Sequence, residues 1–354
     1  ILFGSGSQLL GGIVRTIFKM KPLLLYVIWS CAALTWSISA TPSFDVGLVI
    51  RDLLRVFLCV FIARRLSPAE TLRAVTSAAI GAAIIYGVIA LVALRPSEDV
   101  LGAWSRYQFL GYKDSVGVGK QAAFLALICA CAFFSQMHQR ALVLLATAMA
   151  GAVLLLAFAK AALFAFVAAF VFYMRNNLRS HSAFFGLFAL ALIAWVVVEF
   201  RSDYISEYFN GADEFSASGR LLIWDELMTL APARLAFGYG VDPVFVLLDG
   251  FFYKTPGTAH NDVLQQLISL GVPGVLLWIW LQLDLFWAAK STQAVGVARL
   301  TKAVATYFLL LGLTESNLVF TTFPIYLVAL FRASLLVESD LIRRSRSSGR
   351  CGAV

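Results

Sequence analysis

Apolar runs of about 20 residues recur along the whole chain, and they constrain its fold more than any other feature. Such a run crosses a ~30 Å hydrocarbon layer as a helix, and lipid does not tolerate backbone whose polar groups lack partners. About ten candidates lie near 22–39, 46–63, 73–94, 120–136, 141–157, 160–175, 183–200, 263–288, 303–320 and 323–339. The composition agrees: 60% of residues are hydrophobic, 14% are charged, and the mean hydropathy is +0.84. A soluble domain carries about 25% charged residues. The expected fold is an all-α, polytopic transmembrane helical bundle embedded in the lipid bilayer.

A net charge of +8 could point to nucleic acid, but the charges are placed otherwise. Basic residues gather at Arg15, Lys19 and Lys21, at Arg64, Arg65 and Arg73, at Arg175 and Arg179, at Lys290, Arg299 and Lys302, and at Arg343, Arg344 and Arg346. These fall in every second loop. That alternation follows the positive-inside rule and predicts both ends of this stretch in the cytoplasm. Loops 40–45, 95–119 and 201–262 then face the opposite side. No nucleic-acid partner is expected. The chain begins at Ile1 without a signal-peptide pattern and is read as truncated, with residues 1–20 the tail of a preceding helix or an interfacial segment.

No hydrophilic linker divides the chain, which predicts one membrane domain. Residues 1–200 supply its N-terminal helices, 201–262 form a long loop, and 263–354 carry the last spans and a basic tail. A loop of that length is usually functional. Within it, Ser218 to Leu230 reads as an amphipathic helix capped by Ser216 or Ser218, with Leu222, Ile223, Leu227 and Leu230 as its apolar stripe. Arg220 and Trp224 lie four apart, on one face. Pro232 ends the helix, and Gly238-Tyr239-Gly240 makes a turn. The helix is expected to lie along the membrane surface, either roofing a cavity between spans or merely sealing the bundle.

Of the three histidines, His138 and His181 sit among basic residues in cytoplasmic loops. His260 stands in Thr258-Ala259-His260-Asn261-Asp262, where the long loop enters a span. An imidazole titrates near neutrality and can take a proton from an attacking hydroxyl, although a histidine by itself is more often structural. Cations crowd the same side: Arg106, Lys113, Lys120, Arg220, Arg234 and Lys254 in loops, and Lys160 at the apex of a tight apolar hairpin. A lysine in such a hairpin either snorkels to the headgroups or finds a partner. Arg51 and Arg55, four apart inside a span, pose the same choice. Several cations around one hollow would suit a diphosphate.

Glu315, near the same-side end of its span, is expected to pair with one of these cations or to orient His260. The acidic pairs Asp213-Glu214 and Asp225-Glu226 read as solvated. The five cysteines, Cys31, Cys59, Cys129, Cys131 and Cys351, have neither metal-ligand nor disulfide spacing. No phosphate loop, zinc cluster or nucleophile elbow is present, and neither metal nor cofactor is expected.

Taken in order, these residues carry a resemblance. Thr35-Trp36-Ser37 followed by Pro42, Gly111-Tyr112-Lys113-Asp114 within 106–119, Ala159-Lys160, Gly219-Arg220 with Trp224, Gly238-Tyr239-Gly240, and Ala259-His260-Asn261 with Leu270-Gly271-Val272-Pro273-Gly274 resemble the O-antigen ligase and polysaccharide polymerase superfamily, its exopolysaccharide polymerases most of all. Two departures stand out. Asp114 replaces a usual asparagine, and Lys160 replaces an arginine, which keeps charge but loses the bidentate fork.

The resemblance implies a GT-C-like bundle in a bacterial inner membrane with its site on the periplasmic face. It implies a metal-independent, inverting transfer of a glycan from an undecaprenyl-diphosphate carrier to a sugar hydroxyl. The acceptor would be a second glycan in a polymerase or lipid A core in a ligase. His260, Arg220 and Glu315 become the expected catalytic residues, and Arg106, Lys113, Lys160, Trp224 and Asn261 the expected substrate-binding ones. A transporter or flippase for the same lipid-linked glycan is the alternative of another class; Glu199, Asp284 and Glu315 would be its candidate midplane acids.

Overall fold

The computed structural model describes residues 6–38, 42–96, 107–109, 115–135, 139–157, 159–175, 220–241, 243–249, 258–290, 295–315, 327–337 and 339. The expected span at 183–200 and much of the 95–119 and 201–262 loops lie outside them. Among the described residues, four helical stretches, Pro68–Ala90, Gly117–Phe134, Asp262–Lys290 and Val295–Gly312, are long and apolar enough to cross a membrane, and a bent pair, Leu10–Lys19 with Lys21–Trp36, makes a fifth if counted as one span. About ten spans were expected. The difference has physical causes among the described residues. Pro42–Arg65 carries Arg51, Asp52 and Arg55 in mid-helix, and Arg140–Leu156, Ala161–Met174 and Leu327–Val337 are apolar but short. The chain is a multi-pass membrane protein, and among the described residues it is helical apart from one short strand pair.

Two compact units are distinguished. The first comprises Ile1–Thr71, Phe215–Thr301 and Phe308–Val354. It opens with α1 (Gly6–Lys19) and α2 (Lys21–Ala33), bent by 91° at their junction. The bend follows from Pro22 in the first turn of α2, which has no N–H to continue α1 but suits a helix start. A 3-10 turn, Leu34–Trp36, extends α2. Helix α3 (Pro42–Arg65) lies against α1, where Arg64 Nη1 donates to Thr16 Oγ1 at 2.9 Å. Gly12 makes room for that guanidinium, since a Cβ there would come within 2.7 Å of it.

The second unit comprises Leu72–Glu214 and Lys302–Tyr307. It holds most of α4 (Pro68–Ala93), α5 (Ser115–Ser135), α6 (Arg140–Leu156) and α7 (Lys160–Met174). Small residues let these helices approach, as is usual in lipid, where no hydrophobic effect drives helices together. Gly87 accommodates Met149, and Gly119 accommodates Ala157 and Ala159. A feature absent from the sequence reading is a short antiparallel pair, β1 (Leu94–Pro96) with β2 (Tyr107–Phe109), in the register Leu94 to Phe109.

The remaining helices are α8 (Arg220–Leu230), which runs into a 3-10 turn at Ala231–Arg234, α9 (Val244–Leu247), α10 (Asp262–Lys290), α11 (Val295–Gly312) and α12 (Leu327–Val337). Helix α10 breaks at Gly271, whose φ of 69° and ψ of −168° are not helical. The break leaves terminal backbone groups that need partners, and neighbouring segments supply them. Tyr239 N–H donates to Ile268 O at 2.8 Å, Gly240 N–H to Ser269 O at 2.9 Å, and the Trp29 indole to Leu270 O at 2.9 Å. Across the break, Val272 N–H donates to Leu235 O at 2.7 Å. Pro273 then starts the second stretch without a wasted donor. The Leu270-Gly271-Val272-Pro273-Gly274 block is thus a helix stop followed by a helix start.

Candidate functional site

Helix α8 is held by its inward face. Ile223 and Leu227, four apart, are buried with Ala231, Val244, Leu248, Ala259, Leu264 and Ile268, and Trp224 and Tyr239 pack alongside. The expected stripe is therefore narrower than the sequence indicated: Leu222 faces outward. The described helix starts at Arg220; the expected cap at Ser216 or Ser218 lies outside the described residues.

Trp224 and Asn261 each bond to backbone. The Trp224 indole N–H donates to Ala259 O at 2.8 Å, and Ala259 N–H donates to Gln265 Oε1 at 2.8 Å. Asn261 Oδ1 accepts Leu264 N–H at 3.0 Å, capping α10, while its Nδ2 donates to Leu313 O at 2.9 Å. Between these braced neighbours stands His260, the one non-glycine residue with positive φ (50°) among those described. The left-handed region costs an ordinary residue about 1–2 kcal/mol. Such a conformation persists where the surroundings over-determine it.

The end of α11 brings in the acid. Gly312 faces the Asp262 carboxylate so closely that a Cβ would collide with it. That approach sets Glu315 beside His260. Glu315 is 2% exposed, and its two oxygens have different partners. Arg220 Nη2 donates to Oε1, and His260 Nδ1 lies 3.4 Å from Oε2, a loose contact by hydrogen-bond standards. Arg220 Nη1 also donates to Thr314 O at 2.9 Å. A lone buried carboxylate costs several kcal/mol, which a guanidinium and an imidazole offset here.

The side chains of Arg220 and His260 are 22% and 36% exposed. The cluster thus has a buried acid at its base and two nitrogen groups toward its mouth. Arg220 has five N–H donors, so its bonds to Thr314 and Glu315 leave capacity for an anion. With Nδ1 turned to Glu315, His260 presents Nε2 as its other ring nitrogen.

Of the expected site residues, the structure brings His260, Arg220 and Glu315 together, with Trp224 and Asn261 against the same short segment. Arg106 and Lys113 lie outside the described residues, as do His138, His181 and Glu199. Lys160 opens α7 in the second unit, and its side chain is likewise outside. Gln265 was missed by the sequence reading. It is 1% exposed and ties Ala259 to α10, with Nε2 donating to Ser269 Oγ at 3.3 Å. A glutamine inside an apolar span needs a partner, and that was the available signal.

A family model described as O-antigen ligase matches residues 142–279, which include Arg220, Trp224, His260 and Asn261 but not Glu315. No curated protein matches the chain. A solved chain from work on the structural coordination of polymerization and crosslinking by a peptidoglycan synthase complex is 19% identical, with a TM-score of 0.48, covering 92% of this chain and 97% of its own.

Proposed function

We propose, for a chain whose residues 142–279 match a family model described as O-antigen ligase, that it moves a glycan from an undecaprenyl-diphosphate carrier to a sugar hydroxyl on the periplasmic face, and that it lengthens polysaccharide chains. One observation carries this reading: a partly open arginine and a partly open histidine share a single buried carboxylate. In the proposed reaction the acceptor hydroxyl attacks the anomeric carbon with inversion, and its proton passes to His260 Nε2. Glu315 holds the ring and offsets the imidazolium charge that forms, since a carboxylate beside one ring nitrogen fixes the imidazole's orientation and raises its affinity for a proton at the other. The bond from the anomeric carbon to the diphosphate oxygen breaks, and the carrier diphosphate leaves with that electron pair. Arg220 faces the charge growing on it. No metal takes part. General-base catalysis of this kind is worth about 10²–10⁴ in rate.

Polymerase and ligase share this donor chemistry and differ in acceptor. The discriminating experiment incubates purified protein with lipid-linked oligosaccharide, with and without lipid A core. A ladder of longer lipid-linked glycans without core is the expected product. Transfer only to core would assign the ligase branch, and no transfer to either would overturn the proposal.

A further inference from the structure

From the last turn of α8 onward the chain exposes an unusual run of apolar surface. Met228, Pro232, Ala233, Leu235, Ala236 and Phe237 all face outward, Phe237 by 57%, and Arg234 is the one charge among them. Apolar surface on this scale marks contact with a protein or a membrane.

Its depth follows from the helix it touches. Leu235 O accepts the first N–H after the α10 break, from Val272. From Val272 onward α10 exposes Val272, Leu276, Ile279, Trp280, Leu283 and Trp287, an apolar stripe at helical spacing. Before the break its residues are almost all buried in protein. The stretch 272–290 is about 28 Å long at 1.5 Å per residue, close to the ~30 Å hydrocarbon thickness. Gly271 therefore sits at one edge of the hydrocarbon, and Leu235 to Phe237 sit level with it.

The aromatic residues mark the same level. Trp29, Trp36 and Phe237 pack together with ring centroids 5.7 to 5.9 Å apart. Both indoles donate to backbone there, Trp36 to Phe237 O and Trp29 to Leu270 O. Tryptophan concentrates at the membrane interface because its ring is apolar and its N–H is polar. Arg234 lies over the Tyr239 ring at 5.3 Å, its guanidinium on an exposed residue beside this cluster.

We infer that residues 231–237 form a wedge in the adjacent bilayer leaflet, with Leu235 and Phe237 among the upper acyl carbons and Arg234 at the phospholipid phosphates. The continuity of this surface with the exposed α10 stripe, and its single cation, select phospholipid as the occupant. The inference does not depend on the proposed reaction.

The test uses the full chain in nanodiscs of phosphatidylethanolamine and phosphatidylglycerol. A benzoyl-phenylalanine photoprobe replaces Phe237 in one sample and Leu276, on the α10 stripe, in another. Phospholipid adducts at both positions are expected, and Arg234→Glu should lower the yield at 237 several-fold while Arg234→Lys preserves it. Adducts at 276 together with only protein adducts, or none, at 237 would overturn the wedge. Wild-type protein gives an independent readout: a membrane-partitioned diazirine should label 228–237 as heavily as 272–283. Labelling confined to 272–283 would equally reject it.

Discussion

Arg220, at the start of α8, and His260, in the turn before α10, divide one carboxylate between them, the guanidinium on Glu315 Oε1 and the imidazole 3.4 Å from Oε2. Charge at one group is thereby felt by the other. In the proposed reaction, a diphosphate that draws Arg220 outward leaves Glu315 to His260 alone. Donor binding and proton removal would then be coupled through a residue that touches neither substrate.

Glu315 is accordingly the residue whose loss should do most harm. Glu315→Ala strands a partly buried guanidinium, and breaking a buried pair costs about 3–5 kcal/mol. Glycan transfer should vanish and thermal unfolding of the detergent-solubilised protein should occur at lower temperature. Glu315→Gln keeps the volume and an acceptor, so it should recover much of the stability but little of the activity. Equal activity in Glu315→Gln and wild type would remove the carboxylate from the mechanism.

The brace around Ala259 predicts a separation of binding from turnover. Trp224→Phe removes one indole hydrogen bond, about 1 kcal/mol, while keeping most of the packing. Gln265→Leu leaves the Ala259 N–H buried without its acceptor, about 1–3 kcal/mol. Both should lower kcat more than they raise KM for lipid-linked donor, because they displace His260 rather than a substrate contact. A rise in KM alone for Trp224→Phe would instead favour a direct role in substrate binding.

Gly271 should not tolerate a side chain. Its φ is 69°, and a Cβ would approach Leu235 O to 2.6 Å. The left-handed conformation alone costs alanine about 1–2 kcal/mol. Gly271→Ala should reduce the yield of folded protein in membranes, measured as the fraction monodisperse after extraction. A wild-type yield would show that the helix break is not required.

A lipid-linked glycan flippase would use acids inside its spans. Asp284, on α10, instead holds Arg332 of α12 through two bonds, at 2.5 and 3.1 Å. Removing either partner should be destabilising by about 3–5 kcal/mol, whereas replacing both with apolar residues of similar size should restore stability. The double variant Asp284→Leu, Arg332→Met should therefore still transfer glycan. Loss of activity in a stable double variant would give the pair a functional role.

Much of this was legible in the sequence, for reasons that can be stated residue by residue. Long apolar runs announce lipid-embedded helices because backbone in lipid has few alternatives. Glu315 advertised a partner because an acid near the end of a span is costly without one. The Gly-Val-Pro-Gly block is a visible turn signal, but its location at a helix break depends on donors from Tyr239, Gly240 and Trp29, far away in sequence. The bracing roles of Trp224 and Gln265 were hidden for the same reason, since nothing local says that both reach Ala259. Leu222 was assigned to the buried stripe because apolar periodicity cannot distinguish a protein-facing leucine from an outward-facing one in a chain surrounded by lipid.

The proposed chemistry rests on His260, and its removal is the most direct trial. Purified wild-type protein and His260→Ala, matched for folded fraction, would be given undecaprenyl-diphosphate-linked repeat units, and the initial rate of chain growth would be measured. A fall of about 10²–10⁴ is predicted for a lost general base, with donor binding nearly unchanged. Chain growth by His260→Ala at the wild-type rate would contradict the account.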